Sequence, residues 1–171
     1  GTGNTVSPAA TTTNASGVAP ATFSATVAES KTVSATVSGV AVTQTATVTV
    51  APAGASQLAF TVQPSATVAG AIIAPAVQVA ARDPFNNTVP GFTGNVTVSI
   101  GTNPGAGTLS GTATVAAVAG NATFSDLGID KAATGYTLTA AATGLAGATS
   151  ASFAIPPGPA AQLSFTVQPT T

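Results

Sequence analysis

A chain of 171 residues has room for one large domain or two small ones. Apolar residues make up 44% and charged residues only 4%, three Lys+Arg against four Asp+Glu, where an average soluble domain is about 25% charged. The absence of His, Cys, Met and Trp removes zinc and iron–sulfur centres, thiol nucleophiles, disulfides and His acid–base catalysis, and three cations are too few for a phosphate-binding face, which excludes nucleic acid as a partner.

Residues 1–51 hold short runs whose apolar positions are Phe23, Val33, Val37, Val48 and Val50, broken at Ser38-Gly39; they read as the C-terminal half of a β-sandwich. Residues 52–56 are a linker. A complete sandwich is expected over 57–155. Its opening run alternates Leu58, Phe60 and Val62 with Gln57, Ala59, Thr61 and Gln63, and later runs alternate around Val96, Val98 and Ile100 and around Tyr136, Leu138 and Ala140. Seven strands are predicted, near 57–63, 76–82, 94–100, 108–116, 121–125, 136–142 and 149–155. Asp83-Pro84-Phe85-Asn86-Asn87 and Asn103-Pro104-Gly105 supply turns between them. The Pro-rich residues 156–161 form a second, stiffer linker, and 162–171 the first strand of a next repeat. No run sustains a 3.6-residue stripe, and Thr and Gly are poor helix formers, so no helix beyond a turn is expected.

The longest low-polarity stretch, Val68 to Ala81, is interrupted by Pro75 and Gln78 and falls short of the roughly 20 apolar residues of a membrane span. No charged segment precedes an apolar one at the start, so no signal peptide is read, and Gly1 in place of Met reads as a processed chain or a fragment.

Internal repetition sets the unit size. Gln57-Leu58-Ala59-Phe60-Thr61-Val62-Gln63-Pro64 returns as Gln162-Leu163-Ser164-Phe165-Thr166-Val167-Gln168-Pro169, an offset of 105 residues. At the same offset Ser38-Gly39-Val40 answers Thr143-Gly144-Leu145, and Val48-x-Val50 answers Phe153-x-Ile155. Further back the register slips by a few residues, with Phe23 answering Phe124 and Thr5-Val6-Ser7 answering Thr108-Leu109-Ser110. A repeat of this length is the size of one sandwich domain.

These residues, together with Thr12-Thr13-Asn14-Ala15-Ser16-Gly17-Val18-Ala19 and Gly135-Tyr136-Thr137-Leu138-Thr139-Ala140, resemble the bacterial immunoglobulin-like repeats of large surface proteins, the invasin and intimin group among them. The resemblance implies an all-β fold of tandem immunoglobulin-like antiparallel sandwiches: one complete, one partial, and the first strand of a third. It implies a spacer, stalk or filament module at the cell surface or outside the cell, with no catalytic, cofactor or metal site. Tyr136, two residues before Leu138, resembles the tyrosine corner of immunoglobulin sandwiches. The first unit departs from this pattern, with Lys31 at the equivalent position.

Four carboxylates are present, Glu29, Asp83, Asp126 and Asp130. A glycosidase needs two of them about 5–10 Å apart, and the Asp83 loop is expected at the opposite pole from Asp126 and Asp130. Asp126 with Asp130, or Asp83 with Asn86 and Asn87, offer oxygen ligands for calcium, but neither group has more than two carboxylates, so turn and capping roles are the ordinary reading. Asn-x-Ser/Thr triplets at Asn14, Asn86, Asn95 and Asn121 are what a chain this rich in Thr and Ser produces by chance. A Lys–Asn amide bond needs a buried Lys beside an acid; Lys131 follows Asp130 in a loop, and Lys31 has no obvious acid opposite. Phe60, Phe124 and Phe153 read as core, whereas Phe85 and Phe92 flank a loop and form the aromatic pair to test as a contact patch, with glycan binding not expected.

The residues thus point to a non-enzymatic spacer whose partners are neighbouring repeats or other copies of itself, with strand exchange between copies as a sharper version. A binding module, either an adhesin domain or a phage-particle decoration, is the alternative.

Overall fold

Thr- and Val-rich alternation becomes short paired strands distributed from Asn4 to Ile155. The computed structural model describes residues 3–164 and residue 166, and every regular element among them is β. The expected strand at 162–171 lies largely outside the described residues; its described part, from Gln162 to Ser164, carries no strand.

In the first unit, β1 (Asn4–Ser7) runs antiparallel to β2 (Thr22–Ala25), with Val6 opposite Phe23. β3 (Ser30–Val33), β4 (Thr36–Val37), β5 (Val40–Ala41) and β6 (Ala46–Thr49) then fold as one hairpin, β3 against β6 and β4 against β5. Its tip is Ser38-Gly39, with φ of 50° and 81°, the two left-handed residues that a type I′ turn requires.

The second unit opens with β7 (Gln57–Val62), β8 (Val77–Arg82) and β9 (Asn95–Ile100). There follow β10 (Leu109–Ser110), β11 (Thr114–Ala116), β12 (Asn121–Phe124) and β13 (Gly128–Ile129). It ends with β14 (Ala133–Tyr136), β15 (Leu138–Ala141), β16 (Ala148–Thr149) and β17 (Phe153–Ile155). One sheet is ordered β12-β8-β7 and the other β11-β9-β15-β16, all antiparallel. Their facing sides are the inward phases of the alternation: Val77, Val79 and Phe124 from the first, Val96, Val98 and Leu138 from the second, all essentially without solvent exposure. Tyr136 closes one end, its ring centroid 6.2 Å from that of Phe153 and its hydroxyl donating to the Lys131 carbonyl at 2.9 Å. That is the geometry of a tyrosine corner.

The 105-residue repeat is also a repeat of register. Lys31 stands opposite Val48 in the first hairpin, and Tyr136 stands opposite Phe153 in the second. What differs is cover. Val48 is 37% exposed where Phe153 is 7% exposed, because β7, β8 and β9 pack over the second hairpin and have no described counterpart over the first.

The run read as one strand over 108–116 is two strands in two sheets. β10 pairs with β13, and β11 pairs with β9. The crossing falls at Gly111, at φ +93°, where a Cβ would collide with the backbone of Asp126. The Asp126 carboxylate accepts from the next residue, Thr112, through both its N–H and its hydroxyl, at 2.9 and 2.8 Å. β7 does the same service on the other side: it pairs antiparallel with β8, and its start also bridges in parallel to Ala146. Both flanks of the sandwich are therefore closed by shared strands. β13 was not among the predicted strands; it is a two-residue continuation of β12 that the β10 crossing requires.

Leu138 is fully buried between the sheets. Leu138→Ala is expected to lower stability by about 2–5 kcal/mol in equilibrium denaturation, whereas a loss under about 0.5 kcal/mol would place the side chain at the surface.

Candidate functional site: the junction between the units

A chain with so few charged groups makes each carboxylate informative. Asp83 ends β8 and begins the turn Asp83-Pro84-Phe85-Asn86-Asn87, in which Pro84 presets φ and Asn86 takes the left-handed conformation at 67°. Its carboxylate folds back over its own turn. Oδ1 accepts from the N–H of Phe85 and of Asn87, each at 2.9 Å. Oδ2 accepts from the Asn87 side-chain amide at 2.8 Å and from the N–H of Ala53, in the linker, at 3.0 Å.

Asn87 carries the connection onward. Its Nδ2 donates to the Thr26 carbonyl at 2.8 Å, and its Oδ1 accepts from the Ala28 N–H at 2.9 Å. Thr26 and Ala28 lie between β2 and β3 of the first unit. Gln57 braces the same turn by donating to the Asp83 carbonyl at 3.2 Å and to Asn86 Oδ1 at 3.0 Å. One turn of the second unit is thus hydrogen-bonded to the linker and to the first unit at once.

Asp83 has no solvent-accessible surface. Burial pushes its carboxyl up. The hydrogen bonds from the Asn87 side chain, from the Ala53 N–H and from the N–H groups of Asn87 and Phe85 outweigh burial and hold it below the usual Asp value of 3.8. With four N–H groups aimed at it, this carboxylate has no lone pair left for calcium, and the turn roles account for Asp83, Asn86 and Asn87.

The other acids are spent separately. Asp126 serves Thr112 as described, and the Thr112 N–H and hydroxyl hold its carboxyl below the ordinary value against burial. Asp130 accepts from the Thr108 N–H at 2.6 Å. These two residues bracket β13 and cap opposite ends of β10, about 13 Å apart along an extended strand, so they do not converge on a shared site. β8 pairs at its last residue, Arg82, with Gln57 and at its first, Val77, with Phe124, which sets Asp83 and Asp126 at opposite ends of the sheet. Among the described residues no group of three or more acids, His or Cys gathers.

Two expectations need correction. Lys31 does have an acid: Glu29, two residues earlier, pairs with its ammonium, and this hydrogen bond and charge lower the Glu29 carboxyl. Phe85 and Phe92 do not form a pair. Phe85 is 57% exposed on the junction turn, whereas Phe92 packs onto the core and covers Gly94. Of the glycosylation triplets, Asn14 anchors a turn by accepting from Ser16 and Val18, Asn86 belongs to the junction, and Asn121 donates to Ala119. Asn95 is exposed and lines a shallow groove with Thr97, Thr114 and Ala141 to Thr143, a neutral surface without an aromatic residue.

The reach of Asn87 to Thr26 and Ala28 escaped the sequence reading. A turn that bonds within itself and one that also bonds 61 residues away have the same local composition.

No family model and no curated relative matches the sequence. Among solved structures, the chain is similar to a beta-glycosidase from Bacteroides vulgatus, with a TM-score of 0.50 and 14% identity over 82% of this chain and 19% of that one. A glycosyl hydrolase family 2 member from Bacteroides cellulosilyticus aligns with a TM-score of 0.49 and 12% identity over 78% of this chain and 18% of its own. The chain spans under a fifth of the length of these enzymes, and the likeness to the beta-glycosidase shows a β-sandwich fold.

The lowered Asp83 carboxyl fixes the sign of a pH effect. Its folded state favours the charged form, so its contribution is complete above the ordinary value of 3.8 and is lost as pH falls through the depressed one. Amide exchange at Ala53 is expected to accelerate in that acid range before the core amides do. In Asp83→Asn the step is expected to vanish; a step that survives there belongs to another group.

Proposed function

We propose that this chain is a non-catalytic structural module of an extracellular or cell-surface protein or filament, a rigid repeat that sets length and spacing. The observation that carries this reading is the junction: Asn87 and Asp83 bond to the first unit, the linker and their own turn together. A connection meant to let two sandwiches swing freely has no use for a carboxylate and an amide committed in this way. The partners in this reading are neighbouring repeats or other copies of the chain, in the manner of the bacterial immunoglobulin-like repeats of the invasin and intimin group.

The sandwich likeness to glycoside hydrolase chains does not favour catalysis. Hydrolysis of a glycosidic bond needs two carboxyl groups facing one another across it, and here Asp83, Asp126 and Asp130 each hold backbone N–H groups in different places. Among the described residues Phe85 is the one large aromatic ring standing exposed, and a single ring gives no stacking platform for sugars.

Small-angle scattering tests the spacer reading. An extended two-unit particle whose maximum dimension stays the same from low to high salt is expected, because the junction rests on hydrogen bonds rather than on exposed charge. A distribution of bent shapes in the unmodified chain would overturn it.

A further inference from the structure

We propose that residues Gln162–Val167 of one copy add as a parallel strand to the outer edge of β5 in the first unit of a second copy, with Gln162 at Ala41. This rests on the spacer reading and names the partner that would turn a spacer into a filament.

The second unit shows what this edge accepts. There Gln57 bridges in parallel to Ala146, with the Leu58 N–H donating to the Ala146 carbonyl at 2.8 Å and the Ala146 N–H to the Ser56 carbonyl at 2.9 Å. The Gln63 side chain adds a third bond, accepting from the Ala151 N–H at 2.9 Å. At the offset of 105 residues, Ala146 becomes Ala41 and Gln57 becomes Gln162. Leu58 and Gln63 become Leu163 and Gln168, so the Leu of β7 and the Gln that follows it recur in the later segment.

The edge at Ala41 is presented in the same sense. The Val42 N–H bonds to the Ala35 carbonyl at 2.8 Å, toward β4. Neighbouring residues of an antiparallel strand alternate in the direction of their polar groups, so the N–H and carbonyl of Ala41 face away from β4. The turn ahead of Ala146 is built alike, with the Leu145 N–H on the Ala142 carbonyl at 3.3 Å. Ala41 is exposed, and among the described residues β5 pairs with β4 alone. The apolar positions beside this edge are open as well, with Val40 at 71% and Val37 at 65% exposure, and Leu163 is 99% exposed. Each surface carries the complement of the other, with no Lys or Arg on either to block pairing.

The donor belongs to another copy because the chain is too short to fold back. Gln57, at the start of β7, sits on the junction turn, while Pro156 is bound by the Ala69 N–H on the connection that follows the far end of β7. β7 spans about 17 Å between its end Cα atoms, and the run continues beyond it, with Gln63 held at Ala151 and Ala69 at Pro156; the six steps from Pro156 to Gln162 reach at most about 22 Å fully extended, and Ala41 lies on the far side of the junction.

The chain has no native Cys, so a disulfide can report this register directly. Ala41 and Gln162 are both exposed, which makes Ala41→Cys and Gln162→Cys mild substitutions. On oxidation, the double variant is expected to give a ladder of dimers, trimers and longer species on a non-reducing gel. Mixing the two single variants, one carrying a size tag, is expected to give a mixed dimer. Deleting residues 163–171 from the double variant is expected to remove the ladder. Strand donation is overturned by a disulfide formed only within one chain, by no ladder, or by a ladder that survives the deletion. Scattering from the unmodified chain separates the two readings. A rigid two-unit particle without cross-linking retains the spacer and rejects donation, and a ladder with a loose junction retains donation and rejects the spacer.

Discussion

The Asp83 carboxylate accepts four N–H groups drawn from its own turn, from the side chain of Asn87 and from the linker at Ala53. A buried acid with empty lone pairs would destabilise the turn, so the donors must stay in place; three of them belong to the turn itself and the fourth, Ala53, ties the linker to it. Asn87 is held by this carboxylate in the one orientation that lets its amide reach Thr26 and Ala28 of the first unit. Remove the carboxylate and the turn, the linker and the inter-unit bonds lose their common anchor. The spacing role proposed for the chain depends on this arrangement more than on any property of the sandwich interior.

Scarcity of charge forces a second solution. Sheet edges in soluble proteins are commonly guarded by Lys or other charged side chains, and this chain has three cations in all. The second unit guards its flanks by sharing strands. β7 pairs with β8 and bridges to Ala146, and the 109–116 run leaves one sheet for the other at Gly111. Among the described residues nothing closes the first unit in this way over β5, and its valines are correspondingly exposed. The two units are alike in register and unlike in cover, and the edge at Ala41 is where that difference falls.

Much of the fold was legible in the residues. Alternation at Leu58, Phe60 and Val62 and at Val96 and Val98 placed strands, because a period of two with β-branched residues has few other uses. The repeat set equivalent positions although no strand pairing was read from it, and Lys31 with Val48 and Tyr136 with Phe153 keep that one offset in register. The sheet crossing at Gly111 was hidden, because its cause is the backbone of Asp126, which is distant in sequence and adjacent only once β10 and β13 pair. The junction was hidden for the same reason. Asp83 and Asn87 announce a turn by composition, while their bonds to Ala53, Thr26 and Ala28 exist only after both units have folded. The ion pair of Lys31 was a different kind of miss: Glu29 stands two residues away and was in plain view.

A fixed spacing requires that the turn at 83–87 hold the two units in one orientation. With no native Cys, spin labels can be placed at Val40→Cys in the first unit and Val118→Cys in the second, both on exposed side chains. Pulsed electron resonance between them is predicted to give one narrow distance distribution that broadens when Asp83→Asn or Asn87→Ala is added. A distribution already broad without those changes, or one that stays narrow with them, would contradict it.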